Sequence, residues 1–317
     1  MALRRALLVG VEQYPNGILP GCVVDAQNLE RLLKVNEDGS PNFACKVLTF
    51  PPLDATRDVL LRQLFELFRD GAEVVLFAFS GHGYLDKRGG YLVLPDHKEH
   101  DYGISMADVL ALANKSRAKE VFVLLDCCHA GAFGEPPALI VELALLREGI
   151  SILAATDRRD VAVGDRRGGR FTSLICDGLE GGAADTLGKV TAANLFAYVD
   201  EVFGPWDQRP NFKSNVSNFT PLRRCKPKAP LEGIRNLALW FPSPDHEFAL
   251  SPEYEASDER AQGDKVKVLD SFRRLRDVGI LVPVTHVHLF DAAKESGKCR
   301  LTALGKYYWR LAKEERV

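Results

Sequence analysis

The chain has 317 residues, of which 46% are hydrophobic and 26% charged, with a formal net charge of −2. These are ordinary values for a globular protein and leave room for one large domain plus a smaller one. The near-neutral balance argues against a protein dominated by nucleic-acid or anionic-membrane contacts, and no stretch approaches the ~18 unbroken apolar residues of a membrane span.

The N-terminus, Met1-Ala2-Leu3-Arg4-Arg5, leads into a short apolar segment that ends at Tyr14-Pro15 and lacks a signal-peptide cleavage pattern. Seven scattered cysteines (Cys22, Cys45, Cys127, Cys128, Cys176, Cys225 and Cys299) show no disulfide or zinc spacing, so a reducing cytoplasm is the expected location.

Arg5 to Val11 is an apolar run of the kind buried on both faces of a sheet. Asp25 can cap a helix that carries Leu29, Leu32 and Leu33 on one side. Lys46 to Phe50 reads as a second strand stopped by Pro51-Pro52, and Thr56 to Phe68 as an amphipathic helix. Glu73 to Phe79 is a third buried strand, Ser105 to Ala113 a helix, and Val121 to Leu125 a fourth strand. A helix from Ala138 to Arg147 and a strand from Ile150 to Ala155 follow. A basic loop then runs to Arg170, and two helices lie near Phe171–Leu179 and Thr191–Phe203. Strands alternating with helices predict an α/β fold whose mostly parallel sheet is flanked by helices.

Composition changes at Leu222 to Pro230, a basic, proline-containing candidate linker. It divides a domain at 1–224 from one at 231–317. The latter reads as a helix (Lys265–Asp277), a strand (Gly279–Val284), a hairpin-like turn, a strand at Cys299–Thr302 and a helix (Ala303–Lys313). This small α+β order is winged-helix-like. Arg273, Arg274 and Arg276 would suit DNA, but Asp270, Asp277, Glu314 and Glu315 dilute the basic character, so a docking, substrate-selecting or autoinhibitory role is favoured and nucleic acid a weak one.

Two strand ends carry the chemistry. Phe79-Ser80-Gly81-His82-Gly83 closes one apolar run, and Leu125-Asp126-Cys127-Cys128-His129-Ala130-Gly131 closes another. Open α/β sheets place their sites at such C-terminal strand ends. His82 alone reads best as an ordinary loop histidine. Paired with a cysteine at a second strand end and flanked by glycines, it reads as a catalytic base. A free thiol has a pKa of ~8.5, so a neighbouring imidazole is needed to take its proton and later to protonate the leaving amine. Cys127 and Cys128 compete for the nucleophile's role and point to opposite sides if the strand persists. The backbone N–H groups of Gly83 and Cys128 are the candidate oxyanion hole, a contribution of ~3–4 kcal/mol per donor.

These motifs resemble the caspase superfamily, its metacaspase and prokaryotic-caspase branch in particular. Two further segments are similar to that branch: Leu19-Pro20-Gly21-Cys22-Val23-Val24-Asp25-Ala26, and Gly169-Arg170-Phe171-Thr172-Ser173-Leu174. The resemblance covers the first two-thirds of the chain and implies His82 and Cys128 as the dyad, with Cys127 packed as a small hydrophobe. Animal caspases have Gln two residues before the nucleophile, whereas this chain has Asp126. In metacaspases an Asp there, with the one matching Asp25, forms an acidic S1 pocket. Two carboxylates favour a guanidinium or ammonium through charge-assisted hydrogen bonds and repel an Asp side chain. Ala130, where metacaspases usually have Ser, matters little for the chemistry.

The resemblance thus implies a cysteine endopeptidase that cleaves protein substrates after Arg or Lys, in a regulated bacterial defence or cell-death pathway. The alternatives are a catalytically silent scaffold and a DNA-binding regulator. Arg88, Arg159, Arg167 and Arg170 are candidate processing sites, for self-cleavage or for an upstream activating protease. No metal or other cofactor is expected. Calcium dependence, shown by many metacaspases, has no EF-hand oxygen-ligand spacing behind it here.

Overall fold

The computed structural model describes residues 3–51, 55–98, 101–127, 146–155, 168–203 and 210–317. The chain begins with β1 (Arg4–Val11), a two-residue hairpin β2 (Gln13–Tyr14) and β3 (Gly17–Ile18), and α1 (Cys22–Lys34). Next come β4 (Ala44–Phe50), α2 (Arg57–Phe68), β5 (Val74–Ser80), β6 (Gly83–Asp86), β7 (Gly89–Lys98) and β8 (Asp101–Ser105). They are followed by α3 (Met106–Lys115), β9 (Glu120–Asp126), β10 (Ile150–Ala154), α4 (Arg170–Asp177), β11 (Lys189–Val190), α5 (Ala192–Val202), β12 (Asn211–Asn215) and β13 (Arg223–Arg224).

The main sheet has the order β12-β10-β9-β5-β1-β4. All its pairings are parallel except that of β12 against β10. Every residue of β5, β9 and β10 is buried, as expected of strands covered on both faces. Side chains alternate between the faces. Leu7, Val9, Phe77, Phe79, Val123 and Leu125 join the core under α2 and α3. Leu8, Leu76, Ala78, Phe122 and Leu124 join the core under α1, α4 and α5. Fully burying a residue such as Leu32 or Leu33 of α1 contributes about 1.5–3 kcal/mol, so helix cover and sheet order stabilise one another.

Gly10 lets α1 sit close to the end of β1. A Cβ there would lie 2.2 Å from the Cys22 carbonyl oxygen, so any side chain would push the helix start away. The segment after β5, read from the sequence as loop, is a separate three-stranded antiparallel sheet, β6-β7-β8, with Leu92, Leu94 and Ile104 packed into the α2–α3 core. The expected helix at Ala138–Arg147 falls largely outside the described residues, and Leu146 and Arg147 are not helical.

The chain divides into two compact units, 1–184 with 189–226, and 185–188 with 227–317. The candidate linker is not an extended tether. Arg223 and Arg224 pair with β11, and Leu222, Arg223, Cys225 and Ala229 are buried. The second unit contains α6 (Leu231–Arg235), α7 (Leu237–Trp240), β14 (Glu247–Ala249), α8 (Gly263–Asp277), β15 (Leu281–Pro283), α9 (Leu289–Lys294), β16 (Lys298–Leu301) and α10 (Ala303–Lys313). Its antiparallel sheet has the order β14-β16-β15. The hairpin-like turn expected between its last two strands is instead filled by α9, whose Leu289, Ala292 and Ala293 are buried with Phe241, Phe272 and Trp309. Among the described residues no helix is long and apolar enough to cross a membrane.

Candidate active site

The parallel register aligns Ser80 at the end of β5 with Asp126 at the end of β9. The Gly81 N–H donates to the Asp126 carbonyl at 3.2 Å, holding the two strand ends level. His82 stands two residues beyond Ser80, and Cys128 two residues beyond Asp126 in sequence. Neighbouring strands run about 4.8 Å apart, so Ser80 and Asp126 end adjacent strands at the same height. Cys128 itself, like His129, Arg159 and Arg167, lies outside the described residues. Cys127 is fully buried in the core under α2 and α3.

His82 is held by its backbone. The Val93 N–H donates to its carbonyl at 2.9 Å, its own N–H donates to the Tyr14 hydroxyl at 2.8 Å, and the two rings pack with centroids 4.5 Å apart. Tyr14 carried no signal in the sequence, because its proximity to His82 arises only once β2 folds back towards β7. Gly83 opens β6 directly after the histidine, opposite Leu92.

Ser80 and Asp126 share the parity of Ala78 and Leu124, which faces α1 and α4, and Asp25 comes to them from the first turns of α1. All three are at most 4% exposed. The Ser80 hydroxyl donates to Asp25 Oδ2 at 2.6 Å, and the Gly169 N–H to Asp25 Oδ1 at 2.9 Å. The Thr172 hydroxyl and N–H donate to Asp126 Oδ2 at 2.9 and 3.2 Å. The carboxylates are close neighbours: a Cβ on Gly169 would lie 2.3 Å from Asp126 Oδ2 and 3.2 Å from Asp25 Oδ2. A small cavity with room for about one water, lined by Ser80, Asp126, Phe171, Thr172 and Ile175, lies beside them. Ser80, Thr172 and Gly169 were not singled out as pocket residues from the sequence. The start of α1 is secured by Glu12, whose Oε1 accepts from the N–H groups of Gly21 and Val23 at 2.8 and 3.2 Å.

The other candidate residues lie elsewhere. Arg88, in the turn between β6 and β7, pairs with Asp86 at 2.8 Å and stacks over Tyr91. Arg170 is the first residue of α4 and stacks over the Phe203 ring at 4.8 Å. Four further cysteines are held as thiols by burial: Cys45, Cys176 and Cys299 are pushed up to about 12 and Cys225 is also raised. At Cys176 the charge of Asp25 adds to the effect of burial. A thiol held that high is almost entirely protonated at neutral pH and is a poor nucleophile. Among the described residues no cluster of His, Cys, Asp and Glu is arranged to hold a metal ion.

A mostly parallel sheet flanked by helices, with a histidine just beyond one strand end and two buried carboxylates beside the next, defines a caspase-like α/β domain. The family model of the caspase domain matches residues 3–219, and the chain belongs to that family. The family is one of cysteine peptidases, whose substrates are proteins. Among solved structures, the chain is similar to a crystallised protein of Geobacter sulfurreducens at 18% identity, with a TM-score of 0.49, over 71% of this chain and 98% of that one. It is also similar to caspase-1 of Spodoptera frugiperda at 15% identity, with a TM-score of 0.45, over 71% of this chain and 91% of that one. No curated protein matches the sequence.

Proposed function

We propose that this chain is an active endopeptidase of the metacaspase-like kind, which cuts protein substrates after Arg or Lys. His82 removes the proton of Cys128, the thiolate attacks the scissile carbonyl, and His82 returns the proton to the leaving amine. Water then resolves the acyl-enzyme. The N–H groups of Gly83 and Cys128 receive the developing oxyanion. The observation that carries the specificity is the buried pair Asp25 and Asp126, gathered beside the ends of the strands that lead to both reactive residues. Such a pair attracts a cationic side chain and repels an acidic one. Fluorogenic peptides with Arg, Lys or Asp before the scissile bond test this: turnover of the first two, abolished in His82→Ala and Cys128→Ala, is expected. Turnover of the Asp peptide alone would overturn it.

Processing at Arg88 or in the basic segment holding Arg159, Arg167 and Arg170 is part of the same reading, because an enzyme of this preference would accept those bonds. Arg170 is the weakest of them, since a helical backbone must unwind to enter a protease cleft. The intact mass of wild type compared with Cys128→Ala, after incubation, decides whether self-cleavage occurs. Substrate selection by a winged-helix-like second unit completes the proposal. A nucleic-acid role is disfavoured because Arg273 pairs with Glu255 and Asp270, and Arg276 with Asp277. Cytoplasmic location and a part in bacterial defence or cell death follow from the same reading.

A further inference from the structure

Resting on His82 as the general base, we infer that Tyr14 is the positioning residue that sets the imidazole for proton transfer. A loop histidine is a poor base unless its ring is held close to the reacting geometry, and a displacement of about 1 Å can cost ~100-fold in rate. His82 follows Gly81, so the turn has little stiffness of its own. Tyr14 supplies what the turn lacks through three contacts. Its hydroxyl accepts the His82 N–H at 2.8 Å and reaches the Val93 carbonyl at 3.5 Å, bridging the histidine backbone to β7. Val93 in turn donates its N–H to the His82 carbonyl at 2.9 Å, which makes the bridge a closed ring of backbone and phenol. The phenol ring packs on the imidazole at a 54° tilt and limits its rotation.

Gly81 is the complement of this arrangement. A Cβ there would lie 2.7 Å from the Tyr14 oxygen and 2.8 Å from the Phe79 ring, so glycine leaves the space that the hydroxyl occupies. Tyr14 touches no reacting atom in this scheme. It acts through His82, and its contribution should therefore appear in kcat and not in substrate binding.

Tyr14→Phe keeps the ring and removes the hydroxyl, whereas Tyr14→Leu removes both. On a peptidyl-Arg substrate, Tyr14→Phe should lower kcat about tenfold and Tyr14→Leu about 100-fold, with KM within about twofold of wild type. In nitrogen-15 and carbon-13 spectra, the His82 ring signals, assigned with His82→Ala, should move in Tyr14→Phe while the other histidines stay in place. An active wild type with unchanged kcat and unchanged His82 ring signals in folded Tyr14→Phe overturns the positioning role and leaves the peptidase reading intact. A wild type inactive on all basic peptides overturns the peptidase reading and the positioning role with it, whereas unchanged kcat in an active Tyr14→Phe overturns the positioning role alone. Should Tyr14→Leu fail to fold, Tyr14→Phe, which fills nearly the same volume, decides alone.

Discussion

Asp25→Asn separates the charge of the acidic pocket from its shape. Asp25 is 2% exposed and accepts from the Ser80 hydroxyl and the Gly169 N–H. An asparagine can keep the Gly169 bond through its carbonyl oxygen while its amide faces Ser80, whose hydroxyl rotates to accept. The fold should lose only about 1 kcal/mol, the worth of one reorganised neutral hydrogen bond. Recognition of a substrate guanidinium loses more. A hydrogen bond to a charged group contributes about 1.5–3 kcal/mol, and each 1.36 kcal/mol is a factor of ten in rate. The kcat/KM for peptidyl-Arg coumarin amide should therefore fall between about 10-fold and 150-fold. The norleucine analogue, of similar length and no charge, should change by less than about threefold, because it never used the charge. The ratio of the two values is the measurement. An unchanged ratio in a variant whose melting temperature is near that of wild type would refute the S1 assignment of Asp25.

Three more outcomes follow from the same geometry. Gly169→Ala introduces a methyl that meets both carboxylates, at a residue whose φ of −70° carries no strain. A cost of about 1–3 kcal/mol in urea unfolding and a loss of activity on Arg substrates are expected, and a fully active, equally stable variant would contradict the placement of that segment. Iodoacetamide at pH 7 should label native protein at Cys128 and spare Cys45, Cys176, Cys225 and Cys299, since their raised pKa keeps them protonated well above neutrality. Tryptic mapping of wild type and Cys128→Ala reads this directly, and equal labelling of the buried thiols would count against it. Full-length protein should give no salt-sensitive gel shift with duplex DNA at physiological salt; a shift would restore a nucleic-acid role for the second unit.

The central strands were legible because burial on both faces leaves a run of apolar residues with little else to become. The amphipathic helices α1, α2, α8 and α10 showed for the related reason that one face of each is apolar. His82, Asp25 and Asp126 stood out as chemically capable residue types near the ends of such elements, and the structure describes where each of them lies. What escaped the sequence depends on partners distant along the chain. The β6–β8 sheet was missed because Gly89-Gly90 and Asp96-His97 interrupt its alternation. At the sheet edge, β12 is Asn-Phe-Lys-Ser-Asn, whose polar character suits an edge strand and resembles a loop. The six residues of α9 are too few to display a helical period. Ser80, Thr172 and Gly169 are ordinary residue types, and only their convergence on two carboxylates gives them a role.

The stretch from Gly10 to Asp25 joins these strands to the candidate site through four residues. Gly10 admits the start of α1, Glu12 satisfies its first N–H groups, and α1 then delivers Asp25 to Ser80 and Gly169. Between those anchors Tyr14 reaches across to His82. One connection thus supports both His82, the proposed base, and Asp25 of the proposed pocket, while the hydrogen bond from Gly81 to Asp126 keeps β5 and β9 in step. Loosening the anchors at either end, as Gly10→Ala would by displacing the helix start, should therefore disturb catalysis and basic-residue selection together. Removing the Tyr14 hydroxyl alone should disturb only the first. That asymmetry follows from the order in which the residues occur along this stretch, because Tyr14 lies between two fixed ends and its hydroxyl bonds to the His82 N–H and the Val93 carbonyl.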